Sequence, residues 1–264
     1  MQSSRLRVEV LLVLGALLCS ATSAGARELQ RREALLERLA RARAAALERI
    51  FDQATYRDED HGRSGQKDVD AAVEAVRTAW EPVCALLDAE ARKLEKGSGS
   101  RRAALLSARP DALSSWERAL QQRCRDRQLL ARNAAPDPRV APAEREQVRI
   151  TNEYRLLMGL PALALEPRLV ASARAHSEEM RRLGYFSHTS PTPELRSMQE
   201  RIARAGIARV PVGENIAKGY ATPQAAFEGW YRSPGHHRNM LGAAWARLGA
   251  GVEGDLWTQN YAGE

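Results

Sequence analysis

The chain has 264 residues, of which 28% are charged and 5% aromatic, and its formal net charge is +7. This length fits one large domain or two small ones, since domains usually have roughly 100–200 residues. Arg and Glu are interleaved along helical segments rather than gathered into one basic face, which argues against a nucleic-acid-binding protein.

Residues 1–26 are predicted to be an export signal. Arginines precede an apolar run over residues 10–18, and small residues follow up to Ala26, as in cleaved signal peptides. The run is too short for a helix that must cross a hydrocarbon core of about 30 Å. We therefore expect a mature protein without a transmembrane span, secreted or held at the cell envelope.

Residues 27–135 are predicted to form an Arg-rich, all-helical region. Apolar residues recur at spacings of three and four over residues 28–50, which indicates an amphipathic helix. A second helix is expected over residues 68–96, interrupted or bent at Pro82, and a third over residues 111–133. Such a region fits a helical bundle or an arm through which the protein forms oligomers.

Two cysteines, Cys84 and Cys124, remain once the export signal is removed. Outside the cytosol they could form a disulfide, provided that their Cα atoms approach within about 7 Å. The other interpretation is two buried free thiols. The sequence leaves both open.

A Pro-rich linker over residues 136–145 is predicted to lead into a second domain, residues 146–264. Helices are expected over residues 142–158, 167–183, 194–205 and 222–232, and short strands over residues 212–217, 248–252 and 256–261. A few short strands between several helices predict an α+β domain.

This second domain carries a series of motifs in a fixed order. They are Asn152-Glu153-Tyr154-Arg155, Ala173-Arg174-Ala175-His176-Ser177, Tyr185-Phe186-Ser187-His188, Gly213-Glu214-Asn215, Trp230, Ser233-Pro234-Gly235-His236 and Trp257-Thr258-Gln259-Asn260-Tyr261. Together they resemble the CAP superfamily (cysteine-rich secretory proteins, antigen 5 and pathogenesis-related 1 proteins) in its bacterial, SCP-like form. The resemblance implies a three-layer α/β/α sandwich around a small antiparallel sheet.

The resemblance also implies a cleft lined by two histidines and acidic residues. By motif, His188 and His236 take the histidine positions, and Glu214 takes that of a carboxylate. The family's other acidic position, three residues after Trp230, is Ser233 in this chain. The fourth member of the cleft is therefore open.

Two neutral imidazoles and one carboxylate form a reasonable ligand set for a zinc ion with open coordination positions. Calcium suits this set less well, because it prefers six to eight oxygen ligands. The alternative is a hydrogen-bonded cluster in which Glu214 orients one imidazole and no metal is held. A weakly bound divalent ion is compatible with both interpretations.

The remaining histidines of the motifs are expected to be structural or solvent-exposed. His176 lies on the apolar stripe of its predicted helix, which favours a packed and hydrogen-bonded core histidine. His237 follows His236 directly. On a helix it would point about 100° away from that residue, and we expect it to be exposed.

Several other motif residues are assigned by their chemistry. Ser233 and Asn215 are secondary candidates for the cleft, whereas Asn239 is expected to hold a loop through bonds to backbone atoms. Trp230 is expected to pack in the core. The sequence does not decide whether the Tyr-Phe pair before Ser187 lines the mouth of the cleft or packs beneath it.

No catalytic residue is assigned. The chain has neither a Gly-x-Ser-x-Gly elbow nor a His-Glu-x-x-His motif. The leading hypothesis is an exported, non-catalytic binding module for a small apolar or envelope-derived ligand, or for a protein partner. The alternatives are a metal-dependent hydrolase that uses His188, Glu214 and His236, and a helical oligomerisation arm that carries a passive CAP domain.

Overall fold

The computed structural model describes residues 23–58, 65–97 and 99–264. Most of the predicted export signal, residues 1–22, lies outside these ranges. Within them, no helix is both long enough and apolar enough to cross a membrane.

The contacts between residues divide the chain into two compact units. Of the described residues, the helical unit comprises those up to Ala44 and those within Glu74–Arg127, and the sheet unit comprises those within Ala45–Val73 and Gln128–Glu264. The predicted division had placed residues 45–73 with the helical region. In the structure the described residues of this range, 45–58 and 65–73, belong to the sheet unit instead, because Tyr56 and its neighbours bind to residues near the C-terminus, as described below.

The described residues of the N-terminal half form helices, as the sequence predicts. Its helices are α1 (Ser23–Phe51), α2 (Gln66–Lys96), α3 (Gly99–Ser107) and α4 (Ser115–Ala134), with a short 3-10 turn at Pro110–Ala112. Helix α2 continues through Pro82 as a single element.

The two cysteines are free thiols, so the disulfide interpretation is wrong for this structure. The Cys84 thiol donates a hydrogen bond of 3.6 Å to Asp88, and Cys124 is buried. Burial raises the pKa of both thiols. A raised pKa lowers the fraction of reactive thiolate, as is typical of structural cysteines.

The sheet unit is built on four strands. They are β1 (Ala164–Leu165), β2 (Val212–Lys218), β3 (Arg247–Glu253) and β4 (Leu256–Ala262), in the order β1-β3-β4-β2. The three longer strands pair antiparallel, and β1 pairs parallel to β3 at the edge. Strand β1 was not predicted, because two residues are too few to show the alternation that marks a strand.

Helices cover both faces of this sheet and form the predicted three-layer sandwich. They are α5 (Pro142–Leu157), α6 (Pro167–Leu183), α7 (Met198–Arg204), α8 (Pro223–Tyr231) and α9 (Pro234–Met240). Successive residues of β4 point to opposite layers: Thr258 is hydrogen-bonded to Ser177 of α6, and Gln259 donates to Thr151 of α5. Helices α6 and α7 therefore lie on one face, and α5, α8 and α9 on the other.

Two glycines of β3 allow α6 to lie directly on the sheet. A Cβ atom at Gly249 would come within 2.3 Å of the backbone nitrogen of Val170, and one at Gly251 within 2.0 Å of that of Arg174. Any larger residue would push the helix away. This close approach brings the polar side chains of α6 next to those of β2, where the candidate site lies.

Candidate functional site

Glu214 projects from β2 and lies at the centre of the candidate site. Its side chain is 1% exposed, and both of its oxygens accept hydrogen bonds from Nη2 of Arg201 on α7, at 2.9 and 2.7 Å. Nδ1 of His188 lies 2.9 Å from Oε1. Burial alone would raise the pKa of Glu214, but the His188 hydrogen bond and the Arg201 charge outweigh it and hold the pKa below its usual value. The carboxylate is therefore ionised at neutral pH.

The ionised carboxylate fixes the orientation of the His188 ring. A carboxylate without a proton can only accept hydrogen bonds, so Nδ1 of His188 carries the proton of this pair. The His188 side chain is 53% exposed. Its Nε2 is consequently the ring nitrogen that is available to a ligand.

The loop between α6 and α7, which carries this histidine, is anchored to α6. The buried carboxylate of Glu179 accepts hydrogen bonds of 2.6 Å from the hydroxyls of both Tyr185 and Thr192. Nε2 of His176, also buried, lies 3.1 Å from the carbonyl oxygen of Ser187 and donates to it. The two side chains thus hold both ends of the loop against the helix. Glu179 belongs to no motif used for the sequence predictions, and only its step of three residues from His176 could have suggested its role.

Replacing Glu179 by Gln is expected to loosen this loop. Hydrogen bonds to a charged group contribute about 1.5–3 kcal/mol each, and a loss of about 2 kcal/mol corresponds to roughly thirty-fold more frequent local opening. Amide hydrogen exchange over residues 185–192 should accelerate by that factor. Glu178→Gln is the matched control, because Glu178 is the exposed neighbour. Equal exchange rates in the two variants would show that Glu179 does not anchor the loop.

His236 lies at the start of α9 and is paired with Ser233. Its Nδ1 is 2.8 Å from the Ser233 hydroxyl oxygen, which makes no hydrogen bond that would cap the helix. Burial, and then repulsion from His188, lower the pKa of His236 to about 4, although the carboxylate of Asp58 opposes this shift. His236 is therefore neutral at pH 7.

The asparagines of the motifs connect β2 to α9. Asn215 donates to the carbonyl oxygen of His236 at 3.4 Å and to Gln259 at 3.1 Å. Asn239 donates to the carbonyl oxygen of Glu214 at 3.1 Å and to the side chain of Asn215 at 2.9 Å. Asn215 is fully buried and faces the α9 side of the sheet, opposite to the Glu214 side chain.

Trp230 is buried, and its Nε1 donates to the carbonyl oxygen of Ile216 on β2 at 3.0 Å. This bond ties α8 to the edge of the sheet. Trp230 is therefore a core residue of the sheet unit.

The prediction for His237 is wrong, because the residue is fully buried. Its Nε2 lies 2.6 Å from the hydroxyl of Tyr154, and its Nδ1 lies 3.1 Å from that of Tyr56. The step of about 100° from His236 turns the ring into the domain rather than towards solvent. Burial, together with the charge of Arg238, lowers the pKa of His237 to about 3.

An upstream segment, residues 50–58, is bound to α9 beside these histidines. The hydroxyl of buried Tyr56 donates to the carbonyl oxygen of Tyr231 at 2.9 Å. Arg238 donates to the carbonyl oxygen of Ile50 at 2.9 Å and to Asp58 at 3.0 Å, and it also donates to the backbone of Tyr56. No local pattern could have revealed these contacts, since the partners lie more than a hundred residues apart.

Asp58 reaches the vicinity of the candidate site. One of its carboxylate oxygens is 3.1 Å from the position that a Cβ atom would take at Gly235, the residue before His236. The structure thus supplies a carboxylate near His236 from outside the motifs.

The predicted zinc ligands do not fit a tightly held cation. No group of three or more His, Cys, Asp or Glu side chains among the described residues is arranged to hold a metal ion. Both oxygens of Glu214 are bound to the Arg201 guanidinium, which a cation would have to displace.

Comparison with known proteins gives a match for this part of the chain. The family model described as "CAP: Cysteine-rich secretory protein family" matches residues 148–261. The uncharacterized protein YkwD of Bacillus subtilis (strain 168) is 37% identical over 127 residues, which are 47% of this chain and 49% of that protein. The uncharacterized membrane protein YlbC of the same strain is 34% identical over 119 residues, or 45% of this chain and 34% of that protein.

Among solved structures, similarity is found to an extracellular protein containing a SCP domain from Bacillus anthracis str. Ames. The two are 34% identical, with a TM-score of 0.45, over 46% of this chain and 40% of the other. In each of these three comparisons the aligned region covers less than half of the relative.

Proposed function

Residues 148–261 form a CAP domain, and from this premise we propose that the protein is an exported, non-catalytic binding module. Export is supported by the signal-like residues 1–26. The ligand is a small apolar or envelope-derived molecule, or a protein partner, that contacts the exposed His188 side chain.

The ion pair between Glu214 and Arg201 is the observation that carries this proposal. A general base works best when its pKa lies near the operating pH. Glu214 is ionised, 1% exposed and held at both oxygens, so it lacks both the basicity and the access that a base needs. With a pKa of about 4, His236 is also a poor proton acceptor at neutral pH.

The surface around His188 suits recognition. Phe186, two residues earlier, is 46% exposed, and Leu183 at the end of α6 is also exposed. Aromatic rings beside a hydrogen-bonding group are typical of binding surfaces. A ligand with an apolar part next to Phe186 and a hydrogen-bond donor directed at Nε2 of His188 would satisfy both groups.

A sedimentation assay with purified bacterial envelope fractions tests the binding. The wild-type protein should sediment with the envelope. The double variant Phe186→Ala/His188→Ala should bind the envelope at least tenfold more weakly, as expected for the loss of about 1.5–3 kcal/mol from one aromatic side chain. Thr189→Ala, an exposed neighbour, is the control and should bind normally. Equal binding of all three proteins would count against this surface.

The absence of catalysis needs a separate assay. Panels of peptide, ester and glycan substrates should give no turnover that depends on Glu214. Turnover by the wild-type protein that disappears in Glu214→Gln would instead support the hydrolase alternative.

A further inference from the structure

The Arg201 guanidinium lies where a metal ion would have to bind the Glu214 carboxylate. We propose that Arg201 is a built-in substitute for a bound cation, which neutralises the cleft from within and keeps divalent metal ions out of it. The guanidinium then occupies the position beside Glu214 that a cation would need.

Arg201 is fixed in place by more than the ion pair. Its side chain is 4% exposed, and Nη1 donates to the carbonyl oxygen of Leu195 at 2.9 Å and to that of Arg196 at 3.3 Å. Nη2 also donates to the carbonyl oxygen of His188 at 3.1 Å. The guanidinium cannot swing away from the carboxylate without losing these bonds as well.

Electrostatics opposes any exchange of Arg201 for a metal ion. A divalent cation beside Glu214 would lie next to a positive guanidinium, and at this depth the repulsion is poorly screened. If the metal displaced Arg201 from the carboxylate, a buried charge would be left without its partner, which is strongly unfavourable. The imidazoles of His188 and His236 alone offer too few ligands for a tight zinc site.

The charge on residue 201, rather than its size, should therefore control metal affinity. Arg201→Gln removes the charge and frees Glu214 to bind a metal together with His188. Arg201→Lys also removes the two-oxygen contact but keeps a cation in the same place. The two variants thus separate a charge effect from a loosening of the structure.

Calorimetric titration of the full-length mature protein with zinc chloride tests the proposal, with circular dichroism as the check on folding. We expect weak zinc binding by the wild-type protein, at least tenfold tighter binding by Arg201→Gln, and no gain in Arg201→Lys. Adding Glu214→Gln to Arg201→Gln should abolish the gain. Equal zinc affinity of the wild type and Arg201→Gln, or an equal gain in Arg201→Lys, would overturn the proposal.

If Arg201→Gln does not fold, the zinc affinity of the wild-type protein alone tests the proposal. One zinc ion per chain with a dissociation constant of about 1 µM or less would contradict the proposal, and weaker binding would support it. Neither result depends on envelope binding or on turnover, so this proposal and the proposed function can fail separately.

Discussion

Lowering the pH from 7 to 5 is expected to destabilise the sheet unit by about 4 kcal/mol, or about 2 kcal/mol for each of two histidines, His236 and His237, whose pKa values are strongly lowered. The pKa values of His236 and His237 fall to about 4 and about 3 in the folded protein, whereas an unfolded histidine titrates near 6.5. Below pH 6.5 the unfolded chain therefore binds more protons than the folded one. Stability is fully present above pH 6.5 and is lost as the pH falls towards the folded values.

The groups around His236 and His237 explain why their pKa values are lowered rather than raised. His237 faces the hydroxyls of Tyr56 and Tyr154, the ring of Tyr231 and the charge of Arg238. None of these groups is an anion that would stabilise the protonated imidazole. His236 contacts the hydroxyl of Ser233, the charge of His188 adds to the lowering of its pKa, and the attraction of Asp58 only partly offsets its burial. The lowered pKa of Glu214 acts at more acidic pH, below its ordinary value of about 4.3.

Urea unfolding at pH 7, 6 and 5, followed by tryptophan fluorescence, measures this loss. The variant His237→Gln should be less stable at pH 7 but should lose only about half as much stability between pH 7 and 5, because one of the two histidines with strongly lowered pKa values is gone. A wild-type stability that stays constant from pH 7 to 5 would show that the pKa values of His236 and His237 are not lowered in the folded protein.

Replacing Tyr56 by Ala is expected to destabilise the sheet unit by about 3–5 kcal/mol, the usual loss for a large buried aromatic side chain. Tyr56 is fully buried, its ring packs edge-on against His237 with centroids 5.8 Å apart, and its hydroxyl donates to the carbonyl oxygen of Tyr231. The substitution would therefore leave a cavity and also unpair buried polar atoms.

Two further variants separate the contributions to this effect. Tyr56→Phe keeps the ring and should cost about 1–2 kcal/mol for the lost hydrogen bonds. Phe51→Ala removes an exposed ring from the same upstream segment and should change stability by less than about 0.5 kcal/mol. If Tyr56→Ala behaved like Phe51→Ala in urea unfolding, the upstream segment would not be part of the sheet unit.

Elements with local signals could be predicted from the sequence. Helix α6 begins with Pro167 and ends before Gly184, whose φ of 70° suits glycine. Helix α8 begins after Thr222, whose side chain accepts from the backbone nitrogen of Ala225. The three longer strands were predicted, and β4 has the clearest signal because Trp257, Gln259 and Tyr261 alternate with Thr258 and Asn260.

The contacts that define the candidate site could not be predicted, because they join distant parts of the chain. Arg201 and Glu179 match no motif used here, and their roles follow only from the packing of α6 and α7 beside β2. The error for His237 has the same origin. The helical step was correct, but the sequence did not reveal that Tyr56 would cover that side of α9.

The claim that Arg201 neutralises the Glu214 carboxylate is tested most directly by ¹⁵N NMR of the His188 imidazole at mildly alkaline pH. If Glu214 is an ionised acceptor held by Arg201, the proton lies on Nδ1, Nε2 is unprotonated, and equimolar zinc leaves both signals unchanged. A proton on Nε2, or signals that move with stoichiometric zinc, would contradict this arrangement.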